Sequence, residues 1–357
     1  MWELDNRTPF AAQRAWIRDR DGAEVWVVAV KATYDILPDG CTSLSHEQVP
    51  VHAGPVPHPE SAGLLYDTDL GPAKPATDIV LNGHAWAPAG QPVTELAIEF
   101  AVGSLTRRAK VIGDRFWEKK TFHWKSSKPA PFLSMPLVYE RAFGGKRSAS
   151  DDAASNPVGR GIQPDEQGRI RLPNIESLKY PVERLKDRPP VVGFAPIPSH
   201  WAIRRQYAGT YDQAWLDERF PLPPADLDAR FWQCAPPEQQ VSHLKGGETI
   251  SLLNLTPPGY AAGGRLTFTL PKVSLGFQTH FYGDPMQRSR AVIHSLILEP
   301  DFPRVSVVHH MSLPCHPQVN RLSHTRIIVK SRPLDRRSGR GDDGATPADT
   351  GTAEGQA

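Results

Sequence analysis

The sequence predicts a mainly β protein, because strand patterns and turn residues recur along it while helix signals are scarce. Its 357 residues include 36 prolines spread over the whole length, and proline limits helix length and favours short strands joined by ordered turns. We therefore expect two antiparallel, sandwich-like β-rich lobes, bridged by an ordered Pro/Gly/Trp-rich middle with few short helices. The last third carries stretches with the spacing of a sandwich or barrel, at 249–255, 265–271, 275–283, 291–300, 304–314 and 326–331.

The predicted lobes are residues 1–135 and 245–331, with the loop-rich middle at 136–244 and a disordered tail at 332–357. The tail contains few apolar residues, a composition typical of disorder. We expect the middle to pack across both lobes, because leaving its large side chains in water would forgo roughly 10 kcal/mol of burial. Those side chains are Trp201, Trp215, Trp232, Phe143, Phe194, Phe220 and Phe231.

The N-terminal lobe shows strand signals in order along the chain. Residues 24–37 alternate, are rich in Val, Trp and Tyr, and precede the turn Pro38-Asp39-Gly40. In residues 93–103 apolar and polar side chains alternate, as in a strand with one buried face. Further strands are predicted at 79–81 and 84–86 around Asn82-Gly83, at 105–124 about the hairpin-type pair Gly113-Asp114, and at 132–141.

The middle begins with a charged loop at 136–161 and later carries the clearest helix signal. Glycine permits positive φ and close backbone approach, and Asn-Pro starts turns, so we expect an ordered loop that places charged groups. A helix is predicted at 214–219 before Pro221, with Thr210 or Asp212 as its N-cap. The loop's candidate residues are Glu140, Arg141, Gly144, Gly145, Asn156 and Arg160.

Composition restricts the classes of partner and the compartment. The net charge is +2, from 41 basic and 39 acidic residues, which argues against a general binder of nucleic acids or membrane surfaces. The cysteines at 41, 234 and 315 are far apart and predict reduced thiols, not a disulfide framework. The N-terminus lacks a signal-peptide pattern, and no apolar stretch approaches a membrane span of about 18 residues. We expect a cytoplasmic protein without a cofactor.

Two clusters invite a metal interpretation, and we expect neither to bind one. Asp67, Asp69, Lys74 and Asp78 lack the spacing of a helix–loop–helix calcium site, so an Asp–Lys pair with turn-capping aspartates is the favoured interpretation. The second cluster lacks the paired spacing of closed zinc sites, and adjacent histidines on a strand point to opposite faces. It comprises His309, His310, Cys315, His316 and His324.

No catalytic template fits the sequence, which contains no Gly-x-Ser-x-Gly elbow and no phosphate-binding loop. The structural interpretation of Glu140-Arg141 is an ion pair that holds the loop. The rival interpretation is a hydrolase or carbohydrate-active enzyme on a β scaffold, which needs two positioned carboxylates about 5–10 Å apart. Its acids would be Glu140 or Glu248 with Asp69 or Asp78.

A series of phrases in fixed order nevertheless resembles a known family: the type VI secretion-associated effector adaptor or chaperone family, catalogued as domain of unknown function 2169. The resemblance covers about residues 2–330, with Glu238 in place of an expected Asp. The phrases are Asn6 with Thr8-Pro9-Phe10, the stretch at 66–88, Gly113-Asp114-Arg115 with Trp117, PLVYERAFGG at 136–145, NPVGRG at 156–161, LPNIE at 172–176, Trp201 with Arg204, AGTYDQAW at 208–215, PLPP at 221–224, and APPEQQ at 235–240 followed by Gly246 and Glu248.

The resemblance implies a non-enzymatic, cytoplasmic protein that binds a secreted effector and promotes its loading onto a PAAR/VgrG-type spike. Its implied partners are the effector and a PAAR-like spike-tip protein, without nucleic acid or membrane. The family contributes no catalytic residues, only motif positions that contact a partner or hold loops. These are Asp69, Lys74, Asp78, Arg141, Gly144, Gly145, Asn156, Gly159, Gly161, Trp201, Arg204, Gly209, Trp215 and Gln239.

Overall fold

The computed structural model describes residues 2–146, 148 and 155–330. The chain is mainly β, with 40% strand and 9% helix. The strands before residue 150 are β1 Glu3–Asn6, β2 Ala11–Arg18, β3 Glu24–Ile36, β4 Thr42–Leu44, β5 Val56–Pro57, β6 Leu64–Tyr66, β7 Thr77–Leu81, β8 His84–Trp86, β9 Glu95–Val102, β10 Leu105–Ile112, β11 Phe116–Lys119, β12 Trp124–Ser126, β13 Ser134–Pro136 and β14 Phe143–Gly144. The later strands are β15 Arg160–Gly161, β16 Ile170–Arg171, β17 Ile175–Glu176, β18 Gln240–Val241, β19 Thr249–Leu253, β20 Arg265–Thr269, β21 Leu275–Phe281, β22 Gln287–Ser289, β23 Val292–Glu299, β24 Arg304–Pro314 and β25 Leu322–Val329.

Helices are few and short in the part of the chain that the structure describes. The α-helices are α1, Ala202–Arg205, and α2, Gln213–Glu218. Asp212 caps α2 by accepting a hydrogen bond from the Trp215 amide, as one of the two predicted N-caps. None of the described helices is long and apolar enough to cross a membrane. Single 3₁₀ turns lie at Pro88–Gly90, Tyr139–Arg141, Ala229–Trp232, Pro237–Gln239, Ala262–Gly264 and Val319–Arg321.

The largest sheet joins strands from both ends of the chain. Its order is β18-β7-β23-β24-β3-β2, and β4 pairs with the end of β3. β3 pairs with β24 along nearly its whole length, and β7 lies parallel to β23. The ranges 1–135 and 245–331 thus share this sheet, while the boundaries at 135 and 245 stay predictions.

A second sheet, with the order β17-β10-β9-β19-β20, packs its apolar face on the main core. The predicted alternation in β9 is confirmed, because Leu96, Ile98, Phe100 and Val102 are buried in that core. Smaller sheets are β1-β25-β21-β22, β12-β11-β16 and the pairs β13-β8, β14-β15 and β5-β6. The described strands form no closed barrel.

The expected strand at 132–141 is wrong in its second half. Only Ser134–Pro136 is a strand, and Tyr139–Arg141 forms a 3₁₀ turn. The backbone turns because the Ala142 amide bonds to the Tyr139 carbonyl, which also accepts a hydrogen bond from the Asn156 side chain. The alternation of apolar and polar residues in 132–141 does not predict this hydrogen bond, because its donor lies 17 residues away in the sequence.

The pair Gly113-Asp114 does not form the expected hairpin. The flanking strands β10 and β11 belong to different sheets. At Gly113 the backbone passes so close to Ala130 that a Cβ atom would lie 1.7 Å from the Ala130 carbonyl oxygen. Glycine is therefore required by backbone crowding at a crossing between sheets.

The middle segment packs against the sheets, as its aromatic content predicts. Phe194 contributes to the main core, and Trp201 packs with Tyr139 and Ile197 in a smaller buried cluster. Phe220 departs from the expectation, because 64% of its surface is exposed. The predicted tail at 332–357 lies outside the described residues.

Candidate functional site

The predicted pair of Lys74 and Asp78 lies in a closed polar centre. Lys74 Nζ donates to Asp78 Oδ2 at 2.7 Å and to Ser295 Oγ at 3.2 Å. Burial opposes the ammonium charge, but the Asp78 carboxylate outweighs it and raises the pKa of Lys74. The lysine therefore remains charged inside the protein, as a structural cation without access to solvent.

Asp78 also receives donors from a segment more than 150 residues away. Its Oδ1 accepts from Gln233 Nε2 at 2.7 Å and from the Ala235 amide at 3.1 Å. Its Oδ2 accepts from the Cys234 amide at 2.9 Å and from the thiol at 3.4 Å. Burial and the nearby carboxylate raise the pKa of the Cys234 thiol, so the sulfur is a neutral donor. Asp78 thus fastens the middle segment to β7.

Two further buried ion pairs extend this centre. Lys31 Nζ lies 3.0 Å from Asp69 Oδ2, which also accepts from the His52 amide. Arg204 Nη1 lies 2.8 Å from Asp67 Oδ2 and donates to the Ile197 carbonyl at 2.7 Å. The other guanidinium nitrogens of Arg204 donate to the Phe231 carbonyl. The motif charges here connect loops inside the protein and do not face solvent.

Histidines line one side of the Lys74 centre. The rings of His294 and His310 stack with their centroids 3.8 Å apart. His310 Nε2 donates to the Gly71 carbonyl at 2.9 Å, and His294 Nε2 accepts from the Lys74 amide at 3.3 Å. Burial lowers the pKa of His310 to about 4 and also depresses that of His294. Both rings are therefore neutral near pH 7.

The charged loop is held by a second network, centred on Asn174. Arg141 Nη1 lies 2.8 Å from Asp114 Oδ1, and Arg160 Nη1 donates to Asn174 Oδ1 at 2.9 Å. Arg160 Nε donates to the Glu140 carbonyl at 2.6 Å. Burial and the neighbouring Arg141 lower the pKa of Arg160 to about 10. An aspartate, an asparagine oxygen and a backbone carbonyl thus fix these arginines.

The structure does not contain the expected ion pair between Glu140 and Arg141. Glu140 instead accepts hydrogen bonds from Ser61 Oγ and from the Ala62 amide. Neighbouring side chains of a 3₁₀ turn diverge, so each of the two reaches a different strand connection. Asp114 and Asn174, which bind Arg141 and Arg160, were not among the predicted site residues. Both nevertheless lie in phrases that carry the family resemblance.

The glycines of the loop allow two backbone segments to touch. Asn156 Nδ2 donates to the Tyr139 and Phe143 carbonyls at 2.8 and 3.1 Å. A Cβ atom at Gly144 would lie 2.4 Å from the Asn156 carbonyl oxygen, and φ at Gly145 is +111°. In the same structural role, Gln239 Nε2 donates to the Ile79 and Phe194 carbonyls. These residues organise loops.

The four acids of the enzyme interpretation have separate partners. Asp69 and Asp78 are buried against lysines, and Glu140 holds the Ser61–Ala62 turn. Glu248 Oε1 accepts from the Lys245 amide. Within the ranges 2–146, 148 and 155–330, no cluster of three His, Cys, Asp or Glu side chains is placed to hold a metal ion.

Trp215 is the candidate residue that belongs to an exposed apolar surface. We call Tyr211, Trp215, Leu216 and Phe220 the α2 patch. Tyr211, Leu216 and Phe220 expose 59%, 49% and 64% of their surfaces. The Trp215 ring lies 4.7 Å from the Tyr211 ring and 5.8 Å from the Phe220 ring. Its Nε1 donates to the Leu222 carbonyl at 2.9 Å, which fixes the indole between its exposed neighbours.

The segment that follows the α2 patch lines a mostly apolar pocket of about 450 Å³, at Pro223 and Leu227. Arg219 Nη2 donates to the Arg20 carbonyl at 2.6 Å, which attaches the segment after α2 to the turn between β2 and β3. Beside this turn the pocket opens between the large sheet and the middle segment. Arg18, Asp19 and Arg20 also line the pocket, but most of its lining is apolar, with Ile17, Val25, Pro72, Leu227, Trp232 and Pro314.

A comparison with models of protein families identifies one family that matches most of the chain. A family model described as "Uncharacterized protein conserved in bacteria (DUF2169)" matches residues 21–310. The chain belongs to this bacterial family. The matched range contains every candidate site residue, and the description names no function. Comparisons with curated proteins and with solved structures gave no match.

Proposed function

We propose that this protein is an adaptor or chaperone that binds a type VI secretion effector and promotes its loading onto a PAAR/VgrG-type spike. The α2 patch is the observation that carries the proposal. Exposed clusters of large apolar side chains on a folded protein mark interaction surfaces, and Trp and Tyr dominate the binding energy of such surfaces. The phrase AGTYDQAW, which resembles the adaptor family, supplies two of the four patch residues.

The patch is preorganised for binding. Asp212 caps α2, and the Trp215 indole is held by the Leu222 carbonyl. A side chain that is already fixed loses little entropy on binding, so more of its burial energy becomes affinity. Complete burial of one large apolar side chain is worth about 1.5–3 kcal/mol. Burial of these three side chains, which are about half exposed, therefore contributes part of the binding energy.

The buried charged residues Arg204 and Asp78 hold the segments next to the α2 patch in place. Arg204 bonds to the carbonyls of Ile197 and Phe231 and to Asp67, and the Phe231 carbonyl lies in the segment that follows the α2 patch. Asp78 fixes residues 233–235. We infer that these residues maintain the shape of the binding surface and that the partner contacts the patch.

Co-expression with each protein encoded by the genes next to this one tests the proposal. Pull-down of the wild-type chain should recover one of them, and Tyr211→Ala/Phe220→Ala should weaken recovery about tenfold, since two exposed rings are lost. Phe122→Ala is the matched control, because Phe122 exposes 95% of its surface elsewhere. Recovery of no neighbour, together with normal effector secretion in a deletion strain, would exclude the adaptor function.

A further inference from the structure

The large sheet ends in a strand whose outer edge is open. β2 pairs with β3 over eight residues, from Ala11↔Lys31 to Arg18↔Glu24, and no described strand pairs with its other side. An open edge of this length presents unpaired amides and carbonyls that template the pairing of another strand. The edge carries no proline between residues 11 and 18, so no position lacks an amide donor.

The alternation of hydrogen-bonded residues along β2 shows which backbone amides and carbonyls point away from β3. The Asp19 amide donates to the Ala23 carbonyl at 2.9 Å, and the Cys315 amide donates to the Glu24 carbonyl at 3.0 Å. Odd residues of β2 therefore bond to β3, since hydrogen-bonded and non-bonded pairs alternate in an antiparallel ladder. The outward amides and carbonyls belong to the even residues Ala12, Arg14, Trp16 and Arg18.

One face of this edge is basic and aromatic. The side chains of Arg14, Trp16 and Arg18 share a face because strand side chains alternate. All three are exposed, and the guanidinium groups lie over the Trp26 and Trp16 rings. In the described part of the chain neither arginine has a carboxylate partner. Their uncompensated charge favours an acidic neighbour on this face.

The opposite face of the edge leads into the apolar pocket. Ile17 lies on this face and lines the pocket with Val25 and Pro314. A strand added beside β2 would lie about 4.8 Å away, and its side chains on this face would reach the pocket from the side of Ile17. A strand bound at this edge would therefore place acidic side chains toward Arg14 and Arg18, and apolar side chains toward the pocket.

We propose that the outer edge of β2 binds an extended segment of the protein partner in which acidic and apolar residues alternate. The segment adds a strand to the large sheet, with carboxylates beside Arg14 and Arg18 and an apolar side chain in the pocket lined by Ile17. Main-chain hydrogen bonds supply the affinity, and alternate side chains supply the specificity. The proposal rests on the proposed adaptor function, because it names the chemistry of the effector segment.

A peptide probe tests the site without the effector. The probe is an eight-residue peptide of alternating Glu and Val, added to the full-length chain, and its control is the same pattern with Lys in place of Glu. The Glu peptide should bind about tenfold more tightly than the Lys peptide. Hydrogen exchange at Arg14, Trp16 and Arg18 should slow when it binds, while the amides of Gln13, Ala15 and Ile17 serve as internal references. Equal binding of both peptides, or unchanged exchange, would overturn the proposal.

A matched pair of variants isolates the backbone contribution. Arg14→Ala and Arg14→Pro both remove the guanidinium group, but only Arg14→Pro removes the outward amide, and edge strands tolerate proline. Arg14→Pro should bind the Glu peptide about tenfold more weakly than Arg14→Ala. Equal affinities would contradict strand addition.

Capture of the effector by the same two variants distinguishes failure of this site from failure of the proposed adaptor function. If the wild-type chain captures the effector and Arg14→Pro captures it as well as Arg14→Ala does, the open edge is not the site although the adaptor function stands. Slow exchange at Arg14 and Trp16 in the free chain would show that residues 331–357 or a second copy already cover the edge. That result would also overturn the proposal.

Discussion

Asp78 shows how single charged residues act in this protein. It is fully buried and collects Lys74, Gln233, Cys234 and Ala235 as donors. A buried carboxylate is tolerated only when its charge and lone pairs are satisfied. All of these donors lie outside β7, so the side chain adds to the pairing of β18 with β7 in joining the middle segment to the large sheet.

Asp78→Ala should lower the free energy of unfolding by about 3–5 kcal/mol, because it leaves the Lys74 ammonium buried without its partner. Urea denaturation measures the loss. The double variant Lys74→Met/Asp78→Asn removes both charges and retains an acceptor for the Cys234 amide, so it should be less destabilised than Asp78→Ala. A double variant as unstable as Asp78→Ala would show that packing, and not charge, dominates the centre.

His310 and His294 make stability depend on pH. Burial lowers the pKa of His310 to about 4 and depresses that of His294, where the adjacent His310 adds to the effect. In the unfolded chain a histidine has a pKa of about 6.5. Between these values the unfolded state binds protons that the folded state excludes, so stability is complete above about pH 6.5 and falls as pH decreases toward 4.

His310→Gln should therefore flatten the fall in stability between pH 6 and 4.5 by up to about 1.4 kcal/mol per pH unit. Urea denaturation at a series of pH values measures the slope. Val308→Ala in the same strand is the control, since it creates a cavity that costs the same free energy at every pH. A slope unchanged from the wild type would mean that protonation of His310 does not contribute to the fall in stability.

At the scale of elements, the described ends of the loop at 136–161 bind to each other. Its two ends meet in the parallel pair β14–β15, where Phe143 pairs with Arg160 and Gly144 with Gly161. Asn156 then donates to carbonyls on the first end of the loop. The glycines matter because the two backbones approach within contact distance and leave no room for a Cβ atom.

Gly159→Ala should destabilise the protein by about 2 kcal/mol, because the new Cβ atom would overlap its neighbours. It would lie 2.5 Å from Asn156 Nδ2 and 2.7 Å from Gly144 Cα. Gly54→Ala is the matched control, as no atom lies within 4 Å of its Cβ position, and its stability should stay within about 0.5 kcal/mol of the wild type. Thermal and urea denaturation compare the two variants. Equal stability would contradict the close packing of Gly159 against Asn156 and Gly144.

At the scale of the whole molecule, the two ends of the chain complete one sheet. β24 separates β3 from β23, and β23 lies between β24 and β7. The main core likewise combines Trp26 and Phe100 with Leu296 and Val307. Removal of β2 and β3, or of β23 and β24, would expose a row of strand hydrogen-bonding groups and half of a core.

A fragment of residues 1–244 should therefore not fold by itself, because β3 loses its long pairing with β24 and β7 loses its pairing with β23. Circular dichroism and urea denaturation should show no cooperative transition, and addition of a fragment of residues 245–330 should restore one. A chain that ends at Lys330 keeps every described strand and is the control, expected to unfold cooperatively. Cooperative unfolding of 1–244 alone would support an independent N-terminal lobe.

The sequence by itself determined the β character of this protein and many of its elements. Period-2 alternation located β3 and β9 and showed which face of β9 is buried, since that information is local. Proline content predicted few and short helices, and the two candidate N-caps Thr210 and Asp212 located the start of α2 to within a few residues. The family phrases also contain most of the residues that hold the loops, although the sequence left open whether those residues contact a partner instead.

Only the tertiary structure decided which strands pair and which charges meet. Alternation shows that a strand has a buried face, but it does not name the neighbour, so the pairing of β3 with β24 and the open edge of β2 follow from the sheet order alone. Glu140 and Arg141 are adjacent in sequence and separate in space, while Asp78 finds Cys234 across more than 150 residues. The physical reason is that ion pairs and strand edges are formed by chain folding over long sequence distances, which local residue patterns do not encode.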